Sequence, residues 1–152
     1  MLVMSYGRTF GLDYTISRGS NTYGIGQYPE KLIPYTLKRI REGKSITLYG
    51  DGENVRDWLS VEDHSDAIWE IFRRGKNGEI YNVGANNFLS NIELIQILME
   101  IIGESPMKVE YIADRLGHDR RYALDISKIE KELGWTPKSD FGESLKKVIF
   151  HS

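Results

Sequence analysis

The sequence predicts an α/β domain in which short strands alternate with amphipathic helices, with room for segregated α+β parts. Three kinds of signal predict it. Ser60-Val61-Glu62-Asp63 and Ser90-Asn91-Ile92-Glu93 match the Ser-x-x-acid pattern that opens a helix. Gly11, Gly43, Gly75, Gly103 and Gly134 each close a run of apolar residues at helical spacing. The runs rich in β-branched and aromatic residues that fall between these segments are too short to be helices.

Taken in order, Leu2, Tyr6 and Phe10 stand four apart beside Val3, which suits the last turns of a helix over residues 2–10. It has no N-cap candidate and no room for a nucleus, so it is expected to be the tail of a longer element. Tyr14 to Arg18 is a strand emptying into a polar loop from Gly19 to Lys31, a length that points to function. A helix from Ile33 to Arg41 follows, with Pro34 in its first turn and Ile33, Leu37 and Ile40 on its buried face. Ile46 to Tyr49 is a strand, Gly50-Asp51-Gly52 a turn, and Val55 to Leu59 a second extended stretch. The helix opened at Ser60 carries acids in its first turn and Arg73 and Arg74 in its last. Glu79 to Gly84 is another strand. The helix opened at Ser90 is so apolar that most of its faces must be covered. Val109 to Tyr111 is a short strand, and Asp114 to Asp125 is polar and basic. Asp125 caps a helix carrying Ile126, Ile129 and Leu133, and a last helix from Asp140 buries Phe141, Leu145, Val148 and Ile149.

The chain has 152 residues, 40% of them apolar, which suits one compact domain over 1–152. With Lys+Arg 20 against Asp+Glu 22 and a net charge of −2, no overall field draws it to nucleic acid or an acidic membrane. Any anion must be met locally. The absence of cysteine rules out disulfides, thiolate zinc sites and a cysteine nucleophile. No secretory leader or long apolar run is present, so a soluble cytoplasmic protein is expected. No ligand spacing suggests a metal and no Gly-x-Ser-x-Gly a serine hydrolase.

Three polar clusters fall between elements: Asn21 to Lys31, Asn54 to Asp57, and Asp114 to Tyr122. Lys31, Arg56, Arg115, Arg120 and Arg121 could converge there on a diphosphate, or stand as solvated surface charges. Gly24-Ile25-Gly26 is not a dinucleotide fingerprint, because the third glycine position is Pro29 and no helix opens there. His64 is expected to be a surface or packing residue, whereas His118, in a basic loop, is the better candidate to touch phosphate or sugar. Trp58 and Trp135 suit packing, and Tyr23, Tyr28 and Tyr49 could stack on a base or fill a core.

Together these clusters resemble the dTDP-glucose 4,6-dehydratase family. The resemblance lies in Asn21-Thr22-Tyr23-Gly24 with Pro29-Glu30-Lys31-Leu32-Ile33-Pro34, Val55-Arg56-Asp57-Trp58-Leu59 with Val61-Glu62-Asp63-His64, Tyr81-Asn82-Val83-Gly84, Asp114 through Asp125, and Leu133-Gly134-Trp135-Thr136-Pro137. It implies an extended short-chain dehydrogenase/reductase, whose N-terminal Rossmann half binds NAD while a smaller C-terminal portion grips the nucleotide sugar. This chain resembles the C-terminal portion, with the Rossmann half missing and residues 1–18 as a remnant of the Rossmann-side helix and strand. By resemblance Asn21, Lys31, Leu32 and Asn82 contact the nucleotide sugar, Tyr49 lies by the base, and Arg56, Arg115 and His118 face the diphosphate or sugar. Gly19 and Ser20 would border the nicotinamide. The family pattern has proline where this chain has Ile25 and Leu116, which bears on loop order.

The family reaction oxidises the sugar at C4, eliminates water across C5 and C6, and returns the hydride to C6, using NAD and a Tyr-x-x-x-Lys pair. Residues 1–152 contain no Tyr-x-x-x-Lys and no glycine-rich phosphate loop. The resemblance therefore implies a portion that binds a dTDP-sugar, is inactive alone and holds no NAD by itself. A portion of another nucleotide-sugar epimerase or decarboxylase, or a non-catalytic binding module, are the other readings, and the spacing of Arg115 to Asp125 is of the dehydratase type. Surfaces of the 2–10 helix and of the strand after it would be left uncovered, so self-association is expected.

Overall fold

A computed structural model describes residues 2–103 and 108–151. It is a mixed α/β structure with the elements α1 (Leu2–Phe10), β1 (Ile16–Gly19), β2 (Asn21–Tyr23), α2 (Leu32–Arg41), β3 (Ile46–Tyr49), β4 (Val55–Ser60), α3 (Val61–Arg74), β5 (Ile80–Val83), β6 (Phe88–Ser90), α4 (Asn91–Ile102), β7 (Val109–Ile112), β8 (Arg121–Tyr122), α5 (Ser127–Leu133) and α6 (Phe141–His151).

The helix signals act as expected. Ser60 Oγ accepts the Asp63 N–H at the start of α3, and Ser90 and Glu93 exchange hydrogen bonds in a complete capping box at the start of α4. Asp140 Oδ1 accepts the Glu143 N–H at the start of α6, whereas at α5 the cap position is Ile126, without a side-chain cap, and Asp125 accepts the Ser127 N–H from one residue further out. Gly103 and Gly134 end their helices in the left-handed region. Gly75 instead leaves α3 at φ −63 in extended backbone.

Three small sheets replace one large one. In the first, β1 pairs with β5 in parallel, Gly19 opposite Val83. In the second, β2 runs parallel to β4 with Asn21 opposite Trp58, while the first half of β4 is flanked by antiparallel β6 and parallel β8. In the third, β3 runs parallel to β7. The stretch from Ile16 to Tyr23 therefore changes partner at Ser20, whose N–H still reaches the Val83 carbonyl. Parallel strands that diverge in this way open a crevice beyond their carboxyl ends.

Alternation along the strands sends neighbouring side chains to opposite sides. Tyr23 and Trp58 join Ile33, Leu37, Leu94, Leu98 and Leu145 in one core, under α2, α4 and α6. Leu59 goes the other way, into a second core with Ala67, Ile71, Tyr81, Val83, Ile129 and Trp135 under α3 and α5. Ile46 and Leu48 of β3 pack with Ile40, Ile95 and Met99 in a third. As its sequence demands, α4 serves two of these cores, with Leu94 and Leu98 in one and Ile95 and Met99 in another.

Some expected bounds shift. The strand begins at Ile16, not Tyr14, because the Tyr14 N–H is taken by Asn77 Oδ1 and its carbonyl by the Gly78 N–H. The loop from Gly19 to Lys31 contains β2, and β6 and β8 were not foreseen. Strands of two or three residues exist only through partners remote in sequence, and no local pattern marks them.

Candidate functional site

A cleft of about 690 Å³ opens where β1 gives way to β2, and it is walled by three regions. One wall is the backbone from Gly19 to Thr22 at the strand switch. A second comes from β3, whose alternation buries Ile46 and Leu48 and turns Thr47 and Tyr49 to the cleft. A third is the strap from Asp114 to Tyr122, which contributes Arg115, His118 and Tyr122. Arg56 and Trp58 form the floor, two apart on the same face of β4, and Lys31, Leu32 and Tyr35 close the end at the start of α2.

The floor is fixed by buried hydrogen bonds. Asp57 is fully buried and points away from Arg56; its carboxylate accepts the Ala85 N–H at 3.0 Å and the Asn87 N–H at 2.9 Å. The loop it holds includes Asn86 at φ 54, and a Cβ on Gly84 would stand 2.3 Å from Asp57 Oδ2, so the carboxylate needs a glycine opposite. Asp63 acts likewise within the first turn of α3, accepting the Lys138 and Ser139 N–H groups at 3.1 and 3.0 Å. Burial pushes the Tyr23 phenol beside this floor up to about 12.

The strap is held mostly at the surface. Arg120 Nη1 donates to both Asp51 carboxylate oxygens, at 2.7 and 2.8 Å, and that guanidinium holds the Asp51 carboxyl below its usual range. His118 Nδ1 lies 2.7 Å from Asp114 Oδ1, and the imidazole is the main reason that the Asp114 carboxyl is lowered. Side chain and backbone both join strap to floor: Asn54 Nδ2 donates to the Asp119 carbonyl at 3.1 Å, the Val55 N–H donates to the Arg120 carbonyl at 2.9 Å, and β8 pairs with β4. The Arg115 guanidinium lies 3.9 Å from the centre of the Tyr49 ring.

Of the residues expected at the site, Gly19, Ser20, Asn21, Lys31, Leu32, Tyr49, Arg56, Arg115 and His118 line this one cleft. Asn82 does not: β5 carries it opposite Arg18, and its Nδ2 donates to the Asp125 carbonyl. Arg120 and Arg121 do not converge with the other cations either. Pairing of β8 with β4 sets Tyr122 opposite Arg56, on the cleft face, and Arg121 opposite Val55, on the other, where it lies over the Phe88 ring. Among the described residues no ion pair engages Lys31, Arg56 or Arg115, in contrast to Arg120. Tyr23 and Trp135 are core residues, and Tyr28 is exposed.

Sequence reasoning passed over Gln27, which braces the switch by donating from Nε2 to the Thr22 carbonyl at 2.8 Å. It also passed over Asn91 at the head of α4 and Tyr122. Trp58, expected only to pack, does so and also lines the cleft. Position in the polar loop was the one signal for Gln27; nothing local marks Asn91.

The chain as a whole is similar to known proteins. The family model described as GDP-mannose 4,6 dehydratase matches residues 1–148. A dTDP-glucose 4,6-dehydratase of Escherichia coli is 42% identical over 97% of this chain and 43% of its own length. One from Streptomyces griseus is 44% identical over 98% of this chain and 45% of its own. The chain thus spans less than half the length of these curated relatives. Among solved structures, the dTDP-glucose 4,6-dehydratase of Streptomyces venezuelae with NAD bound superposes with a TM-score of 0.95 at 43% identity, over 99% of this chain and 47% of that one. The UDP-glucose 4-epimerase of Thermotoga maritima with UDP-glucose gives 0.91 at 31% identity, over 99% and 49%.

Proposed function

The chain belongs to the GDP-mannose 4,6 dehydratase family, and from that premise we propose that it is the nucleotide-sugar-binding portion of a dTDP-glucose 4,6-dehydratase. The observation that carries the reading is the cleft itself, where Lys31, Arg56 and Arg115 gather without carboxylate partners beside an aromatic ring. Such a group of cations calls for an anion, and a diphosphate matches the forked geometry of arginine. Arg56, Arg115 and His118 face the diphosphate in this reading. Tyr49 lies by the thymine, and Asn21, Lys31 and Leu32 hold the sugar. Asn82 acts from outside the cleft lining, through its bond to the Asp125 carbonyl behind the strap.

The full reaction, dTDP-glucose to dTDP-4-keto-6-deoxyglucose, is proposed for the whole protein of which this is one portion. NAD supplies the hydride acceptor there. This chain offers that group only the border at Gly19 and Ser20, where the Ser20 hydroxyl is buried and has no protein partner. Its own work is to bind and orient the nucleotide sugar, as a single domain in which residues 1–18 are the Rossmann-side remnant, and without turnover. A cytoplasmic location is part of the proposal. Among the described residues no helix is long and apolar enough to cross a membrane. Self-association follows from α1, which buries none of its residues and leaves Leu2 and Phe10 at 74 and 67% exposure, with Leu12 just after it at 54%.

Calorimetry and thermal melting against dTDP, dTDP-glucose, UDP and GDP test the reading. dTDP and dTDP-glucose are expected to bind and raise the melting temperature, with UDP and GDP weaker and dTDP-glucose left unconsumed. The 31% identity to an epimerase crystallised with UDP-glucose favours one rival, and a preference for UDP would establish it. Melting unmoved by any of the four nucleotides would end both readings. A monomer in sedimentation at high concentration would overturn the self-association.

A further inference from the structure

We propose that His64 is a positioning residue of the cleft: without touching the ligand, its imidazole locks the Gly19–Thr22 strand switch that forms one wall. The proposal rests on the reading of the cleft as a nucleotide-sugar site and adds a residue that does not line it. His64 lies in the first turn of α3, on the side of β2 opposite the cleft floor, and its Nδ1 is 2.7 Å from Thr22 Oγ1. The same ring presses on Gly19 so closely that a Cβ there would stand 2.5 Å from Cε1 and 2.7 Å from Nε2. Glycine is required at that position for close approach. Thr22 Oγ1 in turn lies 3.4 Å from the Ser20 carbonyl. Imidazole, threonine hydroxyl and carbonyl therefore form a chain across the one residue at which the strand changes partner.

The wall so held bears directly on the site. Gly19, Ser20, Asn21 and Thr22 all line the cleft. A wall of that kind binds well only if its backbone is already in place, because ordering it on binding costs affinity. Burial lowers the His64 pKa below its ordinary value, so the ring is neutral at pH 7. Neutral imidazole can either accept from the threonine hydroxyl or donate to it. A residue that only filled space would be replaced without loss by leucine, and that difference separates packing from positioning.

The test uses the 152-residue chain. His64→Leu keeps bulk against Gly19 and removes the hydrogen bond; His64→Asn keeps a polar atom as many bonds from Cα as Nδ1. The dissociation constant for dTDP is expected to rise about five- to tenfold in H64L, and to stay within about twofold of the parent in H64N. Amide exchange at Asn21 to Tyr23 should quicken in H64L alone. Gly19→Ala should weaken binding in the parent but not on a His64→Ala background, where the space for its methyl is free. Parent-like affinity and exchange in H64L would overturn the proposal, as would equal loss in H64L and H64N. Should the parent bind no dTDP, the ligand reading fails by itself, and the exchange rates still decide the role of His64.

Discussion

The floor of the cleft and the strap over it hold cationic side chains toward the same space by opposite means. On the floor, Arg56 is set by its neighbour Asp57, a buried carboxylate that engages backbone N–H groups from a loop some thirty residues on. On the strap, Arg115 and His118 are set by Asp51, Arg120 and Asp114, all exposed. Buried hydrogen bonds in low dielectric are strong and indifferent to salt, while exposed ion pairs contribute little and are screened. The floor is thus a fixed reference and the strap an adjustable one.

The largest effect is expected from Asp57→Ala, which leaves two backbone donors unpaired. It should destabilise the protein by about 3 kcal/mol in urea unfolding, and a loss near zero would break the contrast. Asn54→Ala removes a side-chain tie between the regions and leaves the β4–β8 pairing in place. We expect about 1 to 2 kcal/mol, with faster proteolysis confined to residues 114–122. Arg120→Ala removes an exposed ion pair. The melting temperature should hold, while dTDP affinity falls roughly two- to fivefold at low salt and the difference vanishes at high salt. A salt-independent loss would show the strap to be as rigid as the floor.

The smallest and most selective effect is read by acid. His64 titrates below its ordinary value, so the unfolded chain binds the extra proton first. Its contribution is complete above about pH 6.5 and is lost as pH falls toward the lower folded value. Asp51 and Asp114 are also lowered, but for carboxylates the contribution is present above about pH 3.9 and goes only below it. Amide exchange at residues 19–23 should therefore rise in mild acid, before the strap responds, and the H64N variant should abolish that first phase. Simultaneous loosening of both regions would erase the distinction.

What could be read in the sequence divides along the same line. Helix starts at Ser60, Ser90 and Asp140 are local chemistry, visible within four residues, and they stand where expected. Membership of one cleft was legible for Asn21, Lys31, Arg56 and Arg115, because loops between elements gather at strand ends. It was not legible that Arg115 faces the cleft while Arg121 does not. That choice depends on β8 lying beside β4 in one register, a pairing across some sixty residues with no local mark. His64 looked like a packing residue because its partner, Thr22, is 42 residues away.

The seam at Ser20 also fixes a count. Because β1 is registered on β5 and β2 on β4, deleting or inserting a single residue between Gly19 and Asn21 would turn the pleat of β2 over. Asn21 and Tyr23 would then be driven against the third helix and Thr22 into the aromatic interior. The spacing of this junction is accordingly as much a determinant of what the protein recognises as the identity of any side chain on it.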